Sequence, residues 1–128
     1  MDSLVQTALE ARNHAVCEYS HFAVGAALEC ADGTVIRGCN IENATFGLTI
    51  CAERVAIFKA LSEGIREFRR IIVATDAATL TPPCGACRQI IWEFCGDIPV
   101  MAVNPRGDVV EWTMSQLLPH AFDKRSLK

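Results

Sequence analysis

The sequence has no excess of basic residues, and this absence limits the partners that the protein can have. Lysine and arginine together number 12 against 15 aspartates and glutamates, which gives a formal net charge of −3. The densest basic positions are Arg69, Arg70 and the tail residues Lys124, Arg125 and Lys128. Proteins that grip phosphate backbones usually carry a clear positive excess. We therefore expect neither a nucleic-acid substrate nor a nucleic-acid partner.

Long apolar runs and a basic leader are also missing. No run approaches the roughly 20 apolar residues that a membrane helix needs, although 51% of the residues are hydrophobic. The opening segment MDSLVQTALEARN has no basic stretch followed by an apolar one, so it does not resemble a signal peptide. Repeats, low-complexity runs and proline- or serine-rich linkers are absent. The sequence predicts a single domain over residues 1–128, located in the cytoplasm, with no membrane contact.

Periodicity and turn signals predict an α/β fold. A helix is expected over residues 2–17, followed by a hairpin whose turn is Asp32-Gly33. Three more helices are predicted over about 51–62, about 85–94 and about 115–118, and three more strands in RRIIVAT, IPVMAVN and DVVEW. This order is typical of a three-layer α/β/α sandwich with a central mixed five-stranded sheet, in which later strands include parallel neighbours.

Seven cysteines are many for a chain expected in a reducing compartment. The odd number argues against complete pairing in disulfides, so a cluster indicates metal or redox chemistry. Cys84 and Cys87 form a C-x-x-C pair that fits either a metal half-site or a redox dithiol. The pair follows Pro82-Pro83 and begins a predicted helix, whose N-terminal N–H groups stabilise thiolates. Because this placement would also activate a redox cysteine, it does not decide between the two.

A second cluster, Cys51-Ala52-Glu53, favours a metal because it also begins a predicted helix. If both helices aim their N-termini at one point, Cys51, Cys84 and Cys87 converge there. Three protein ligands with one open position are typical of catalytic zinc, which lowers the pKa of a bound water to about 7. A hydrolysis by that water also needs protons moved from the water and to the leaving group, and Glu53, two residues after Cys51, suits that shuttle. The alternative is that Glu53 merely favours the positive end of its helix.

Two arginines follow the cysteine clusters. Three thiolates on Zn²⁺ leave a net charge of about −1, which weakens the Lewis acidity of the site unless nearby donors offset it. Arg54 and Arg88 each come one residue after a cluster, and we hypothesise that Arg54 donates to the cysteine sulfurs. The alternative is an ordinary arginine on a helix surface. The other cysteines have no ligand-like spacing and are expected to be small buried hydrophobes: Cys17, Cys30, Cys39 and Cys95.

The segments GCNIENATFGLTICAERVAIFKALSEG and PPCGACRQ closely resemble the small homotetrameric cytidine deaminases. EYSHFAVGAAL and LLPHAF resemble two further blocks of that family, so the matches run from about residue 14 to 122. Ligation of zinc by three cysteines, with a glutamate outside the ligand set, is known in zinc deaminases. The resemblance implies one Zn²⁺ per subunit and deamination of free cytidine and 2′-deoxycytidine in pyrimidine salvage. Zinc hydroxide would attack C4, while Glu53 carries the protons.

The resemblance also implies how the nucleoside is bound. The family residues that match Asn40 and Glu42 hydrogen-bond the ribose hydroxyl, and an amide beside a carboxylate offers a diol both donor and acceptor. The residue that matches Phe22 stacks on the pyrimidine, and the backbone around Ala52 contacts the base. The residue that matches Phe122 reaches the site from a neighbouring subunit. The alternatives are a turn residue at Asn40, a surface charge at Glu42 and two ordinary core phenylalanines.

The resemblance also implies an oligomer, and two positions depart from the family pattern. A homotetramer with composite active sites would place the apolar stretch 46–50 at a subunit contact. Glu18 stands where relatives usually have proline before Tyr19-Ser20, so this loop is expected to be less rigid. Phe46 stands where relatives often have tyrosine, and it has no hydroxyl to reach the 5′ side of a nucleoside.

Three other functions fit part of the pattern. A deaminase of another cytosine nucleoside, resembling blasticidin-S deaminase, would share the zinc motifs, but residues 40–43 (Asn-Ile-Glu-Asn) favour ribose recognition. A non-enzymatic structural zinc module would need a fourth protein ligand, for which Cys39 and Cys95 are the candidates. A thiol oxidoreductase would use Cys84 and Cys87, and tightly bound zinc would count against it.

Overall fold

The chain folds into five strands and four α-helices in a computed structural model that describes residues 2–127. The strands are β1 (Gly25–Cys30), β2 (Val35–Cys39), β3 (Phe68–Ala74), β4 (Pro99–Val103) and β5 (Val109–Thr113). The helices are α1 (Ser3–Ala11), α2 (Ala52–Ser62), α3 (Gly85–Cys95) and α4 (Met114–Leu117). Short 3₁₀ turns lie at Arg12–His14, Phe46–Leu48 and Lys124–Leu127. Among residues 2–127, no helix is both long enough and apolar enough to cross a bilayer.

The strands form one mixed sheet in the order β2-β1-β3-β4-β5. β1 is antiparallel to both β2 and β3, β3 is parallel to β4, and β4 is antiparallel to β5. The parallel pair is joined through α3, since a parallel connection has to cross over the sheet. The β1–β2 hairpin turns at Asp32-Gly33, where Gly33 has a φ of +92° and the Asp32 carboxylate accepts from the Thr34 N–H at 2.9 Å. The mixed five-stranded sheet and the parallel pair in its second half confirm the sequence prediction.

Alternating residues on the central strands divide the core into two layers. Ala26 and Leu28 of β1, with Ile71 of β3, pack against α2, α3 and α4. Ala27 and Ile72, which point to the opposite face, pack against α1. This period of two is what a strand buried on both faces requires. The result is the predicted α/β/α sandwich, with α1 on one side of the sheet and α2, α3 and α4 on the other.

The first helix is shorter than predicted. The apolar spacing predicts a helix over residues 2–17, but α1 ends at Ala11 and one 3₁₀ turn follows. Contacts from distant parts of the chain explain the difference. Arg12 Nε donates to the Ala23 carbonyl at 3.4 Å, and the Val16 N–H donates to the Asn40 carbonyl at 3.0 Å. These hydrogen bonds hold residues 15 and 16 extended beside the segment that follows β2.

Gly38 brings β2 unusually close to the start of α2. A Cβ at this position would collide with the Ala52 carbonyl oxygen and would lie 2.7 Å from the Ala56 backbone nitrogen. Only a residue without a side chain allows this approach. The first turn of α2 is therefore held at a fixed height above the sheet.

Candidate active site

Two cysteines stand immediately before the first residues of α2 and α3. Cys51 and Cys84 have extended backbones, with ψ values of 154° and 168°. Cys51 precedes α2 and Cys84 precedes α3, and these two helices pack against each other. Cys87 lies in the first turn of α3 and is fully buried. The structure brings the three Sγ atoms together, all within 4.8 Å of one another. This is the convergence that the cysteine motifs at the starts of the two helices predict.

The cysteine cluster fits a zinc ion. In a tetrahedral site with Zn–S bonds of about 2.3 Å, the ligand sulfurs lie about 3.8 Å apart, so this spacing needs little rearrangement. A hydrogen bond from Cys87, together with the nearby guanidinium of Arg54, lowers the pKa of Cys51 to about 5. That hydrogen bond and burial raise the pKa of Cys87. The cluster thus already favours one thiolate, and a metal would displace the proton that remains on Cys87.

The two candidates for a fourth sulfur ligand do not join the cluster. Within residues 2–127, the group of potential metal ligands contains only Cys51, Cys84 and Cys87. Cys95 packs against the core side of the sheet, and Cys39 lies at the end of β2 beside a different cavity. The set of three therefore matches a site with an open position better than a closed structural site.

Two arginines lie beside the cysteine cluster, one in contact with a sulfur and the other bonded to backbone carbonyls nearby. Nη2 of Arg54 lies 3.4 Å from Cys51 Sγ, and this contact raises the pKa of the arginine. Its Nε is buried and has no hydrogen-bond partner among residues 2–127. Arg88 donates from Nε to the Pro83 carbonyl at 2.7 Å and from Nη1 to the Leu117 carbonyl at 2.9 Å. Arg54 thus stands where the sequence hypothesis puts it, whereas the fastening of the loop before Cys84 by Arg88 was not predicted.

A cavity of about 400 Å³ opens beside the cysteines. Cys51, Cys84 and Glu53 line it, so the cluster has one accessible side. Glu53 is only 5% exposed, and burial raises the pKa of its carboxyl. A carboxyl with a raised pKa exchanges protons more readily near neutral pH than a solvated one. The cavity also brings together four of the predicted nucleoside-binding residues: Phe22, Asn40, Ala52 and Glu42.

The Asn40 side chain holds the backbone of residues 22–24 through two hydrogen bonds. Its Oδ1 accepts from the Val24 N–H at 2.8 Å, and its Nδ2 donates to the Phe22 carbonyl at 2.9 Å. The amide keeps a second N–H and a second lone pair for another partner. Phe22 lines the cavity and is 46% exposed, so it is not a core phenylalanine.

Glu42 holds the loop that contains Tyr19 and Ser20 through hydrogen bonds to its carboxylate. Its Oε1 accepts from the backbone N–H groups of Tyr19 and Ser20 at 3.1 and 3.0 Å, and its Oε2 accepts from the Ser20 hydroxyl. These bonds, led by the Ser20 hydroxyl, hold the pKa of Glu42 below its usual value. The carboxylate is therefore ionised and oriented. No sequence signal showed that Glu42 would anchor a loop more than 20 residues away.

Two predicted aromatic residues lie outside the buried part of the site. Phe122 is 61% exposed and does not line the cavity among the described residues, and its carbonyl accepts from Gln89 Nε2 at 2.7 Å. Phe46 is 68% exposed and meets Tyr19 edge to face, with ring centroids 5.4 Å apart. Neither ring has a core position, so both are free to contact another molecule.

Comparison with known proteins gives consistent matches over nearly the whole chain. The family model for the cytidine and deoxycytidylate deaminase zinc-binding region matches residues 1–102. A cytidine deaminase from Halalkalibacterium halodurans is 54% identical over 93% of this chain and 91% of its own. A cytidine deaminase from Sporosarcina psychrophila is 48% identical over 99% of this chain and 94% of its own. The crystal structure of a cytidine deaminase from Burkholderia pseudomallei has a TM-score of 0.91 at 45% identity, covering 94% of this chain and 97% of that one.

Proposed function

Because the chain belongs to the cytidine and deoxycytidylate deaminase family and is a deaminase, we propose that it converts free cytidine and 2′-deoxycytidine to uridine and 2′-deoxyuridine. The reaction consumes one water and releases one ammonia, and it would serve pyrimidine salvage. The observation that carries the proposal is a cavity of nucleoside-binding size in which Cys51, Cys84 and Glu53 stand together. Location in the cytoplasm stays a prediction from the sequence.

Cys51, Cys84 and Cys87 would hold one Zn²⁺ per subunit. The bound metal would supply an acidified water as the nucleophile. Arg54 supports the ligands, since its guanidinium at 3.4 Å from Cys51 Sγ offsets the excess negative charge of three thiolates. Since Cys87 is buried while Cys51 and Cys84 line the cavity, a substrate would approach the metal from the cavity side.

Glu53 would move the protons. It takes one from the attacking water as the new C4–O bond forms, and it passes that proton to N3 of the pyrimidine. It then takes a second proton, from the new hydroxyl on C4, and gives it to the amino group as the C4–N bond breaks, so that a C4 carbonyl forms and ammonia departs. A single carboxyl can make these transfers in turn because it regains its starting state after each one. The burial of Glu53 beside the cysteines supports this role over that of a solvated helix-start charge.

The wall formed by the segments around Phe22, Asn40 and Glu42 would bind the nucleoside. Asn40 and Glu42 still have a free donor and free lone pairs after their backbone contacts, and both line the cavity. They would bind the ribose hydroxyl, while Phe22 stacks on the pyrimidine and the backbone at Ala52 contacts the base. Phe46 would contribute no hydrogen bond to the 5′-hydroxyl.

A homotetramer with composite sites would explain the apolar surface of the chain. Val16, Ile41, Phe46 and Leu48 are all exposed, and residue 41 bridges to both Val16 and Ile50. Exposed apolar side chains grouped in this way are typical of a subunit contact. Phe122 would reach the cavity of a neighbouring subunit, and residues 1–128 would act as one domain.

The direct test follows the loss of cytidine absorbance together with formation of uridine and ammonia. We expect turnover of cytidine and deoxycytidine that a chelator abolishes and added Zn²⁺ restores. Blasticidin S serves as the comparison substrate, because ribose recognition by Asn40 and Glu42 should make it a poor one. Turnover of blasticidin S alone, or cytidine turnover that is indifferent to metal removal, would overturn the proposal.

A further inference from the structure

The C-terminal segment after α4 folds back onto α3. Gln89 Nε2 donates to the Phe122 carbonyl at 2.7 Å, and Trp92 Nε1 donates to the Asp123 carboxylate at 3.0 Å. Gln89 and Trp92 are three residues apart in a helix and so share one face. Two consecutive residues of the tail are thus fastened to two consecutive turns of the helix that begins after Cys84.

Asp123 is the centre of this attachment. Besides the indole of Trp92, its carboxylate accepts from the Arg125 backbone N–H at 2.9 Å and from the Arg125 guanidinium at 2.7 Å. The guanidinium and the indole N–H hold the pKa of Asp123 well below its usual range, so the acceptor is charged. Only 11% of the side chain is exposed. Hydrogen bonds to an ionised acceptor are roughly twice as strong as neutral ones, so we expect this bond to hold the tail to α3 more strongly than the neutral bond from Gln89 to the Phe122 carbonyl.

Phe122 carries the first of the two attachment points on its own carbonyl, so its backbone is held while its side chain is exposed. The chain reaches it through His120, whose φ of +57° lies in the left-handed region that non-glycine residues seldom occupy. Phe122 is 61% exposed, so its side chain gains little packing from its own chain, yet its backbone carbonyl and the side chain of Asp123 are both held. Fixing the backbone in advance reduces the entropy that a later contact of the ring would cost.

We propose that the Trp92–Asp123 hydrogen bond holds residues 122–126 on α3, so that the Phe122 ring is presented to the nucleoside of a neighbouring subunit. The inference rests on the proposed function, in which Phe122 completes a composite site. Trp92 and Asp123 are positioning residues, since they act through Phe122. The same attachment links the tail to the helix that carries Cys87 at its start.

The test compares Trp92→Phe with Trp112→Phe, in the wild-type chain and in a Phe122→Ala background. Trp112 is the other of the two tryptophans, also packs against the core, and has no side-chain hydrogen bond among residues 2–127. We expect Trp92→Phe to raise KM for cytidine about five-fold, with kcat within about two-fold and zinc content unchanged. Amide hydrogens of residues 120–127 should exchange faster. Trp112→Phe should change neither KM nor this exchange.

The double variant separates positioning from general destabilisation. In the Phe122→Ala background, Trp92→Phe should raise KM no further, because the residue through which it acts is gone. An equal rise in both backgrounds, or an unchanged KM for Trp92→Phe when Phe122→Ala raises it, would overturn the inference. An active enzyme in which Phe122→Ala leaves KM unchanged would instead refute the role of Phe122 itself in the proposed function.

A second pair of variants covers the case in which Trp92→Phe folds poorly. Asp123→Ala removes the acceptor and should reproduce the rise in KM. Asp123→Asn keeps an oxygen that accepts from the indole, so its KM should lie between those of the wild type and Asp123→Ala. Equal KM values for Asp123→Ala and the wild type would contradict the inference as well.

Discussion

Two parts of the proposed site are built by different means: the floor, which is the cysteine cluster with Glu53 (Cys51, Glu53, Cys84 and Cys87), and the aromatic rim, which is a set of exposed phenylalanines of which only Phe22 lines the cavity among residues 2–127 (Phe22, Phe46 and Phe122). The floor stands at the starts of two helices packed into the core, and Glu53 and Cys87 are buried. The rim residues lie outside the α-helices and strands, and they are 46%, 68% and 61% exposed. The difference teaches that one chain buries the groups proposed for the chemistry, whereas it leaves the phenylalanines of the rim open to contact with a neighbour.

Removing one sulfur should have the largest effect if the floor acts as a unit. Cys87→Ser should reduce bound zinc from about one per chain to near zero, with cytidine turnover below detection, because a fully buried ligand has no substitute nearby. Metal analysis of the purified protein and a turnover assay measure both effects. Cys17→Ser is the matched control and should keep both metal and activity, since Cys17 is outside the cluster. Full zinc retention in Cys87→Ser would break the comparison.

A change of one acidic group should separate chemistry from metal binding within the floor. Glu53→Gln should lower kcat by about 10²- to 10⁴-fold while zinc content and melting temperature hold, because the amide fills the same space but carries no proton. Glu63→Gln, at the exposed far end of the same helix, is the control and should leave kcat unchanged. A Glu53→Gln enzyme with near-normal kcat would remove Glu53 from the proton transfers.

A rim variant should produce a smaller and different effect. Phe22→Leu should raise KM for cytidine about five-fold through loss of ring stacking, with kcat within about two-fold and little change in melting temperature. Phe94→Leu on α3, a phenylalanine of similar exposure at 40%, should leave KM unchanged. If Phe22→Leu lowered kcat strongly with KM unchanged, the floor and the rim would not divide the work as proposed.

Local sequence signals predicted most of the sheet and the floor. The Asp32-Gly33 turn, the two helix starts and the three-residue spacing from Cys51 to Arg54 all depend on neighbours within a few positions. Such relations are set by backbone geometry that the sequence displays directly. The alternation on β1 and β3 likewise follows from the period of a strand.

Contacts between distant residues could not be predicted in the same way. The end of α1 depends on hydrogen bonds from Arg12 to Ala23 and from Val16 to Asn40, which override the apolar spacing of residues 12–17. The anchoring of Tyr19 and Ser20 by Glu42, and of the tail by Trp92, spans more than 20 residues of sequence. The sequence around these residues does not indicate which distant residue each will bond, so the pairing is visible only in the folded chain.

The close approach of β2 to α2 at Gly38 has a consequence for anyone who wishes to redesign this enzyme. Residue 38 lines no part of the site cavity, so a mutational library aimed at substrate range would treat it as a neutral position. A side chain there must push the first turn of α2 away from the sheet, and that turn carries Glu53 and follows Cys51. Residue 38 therefore has no room for a side chain although it has no chemistry of its own, and libraries for altered specificity should leave glycine there untouched.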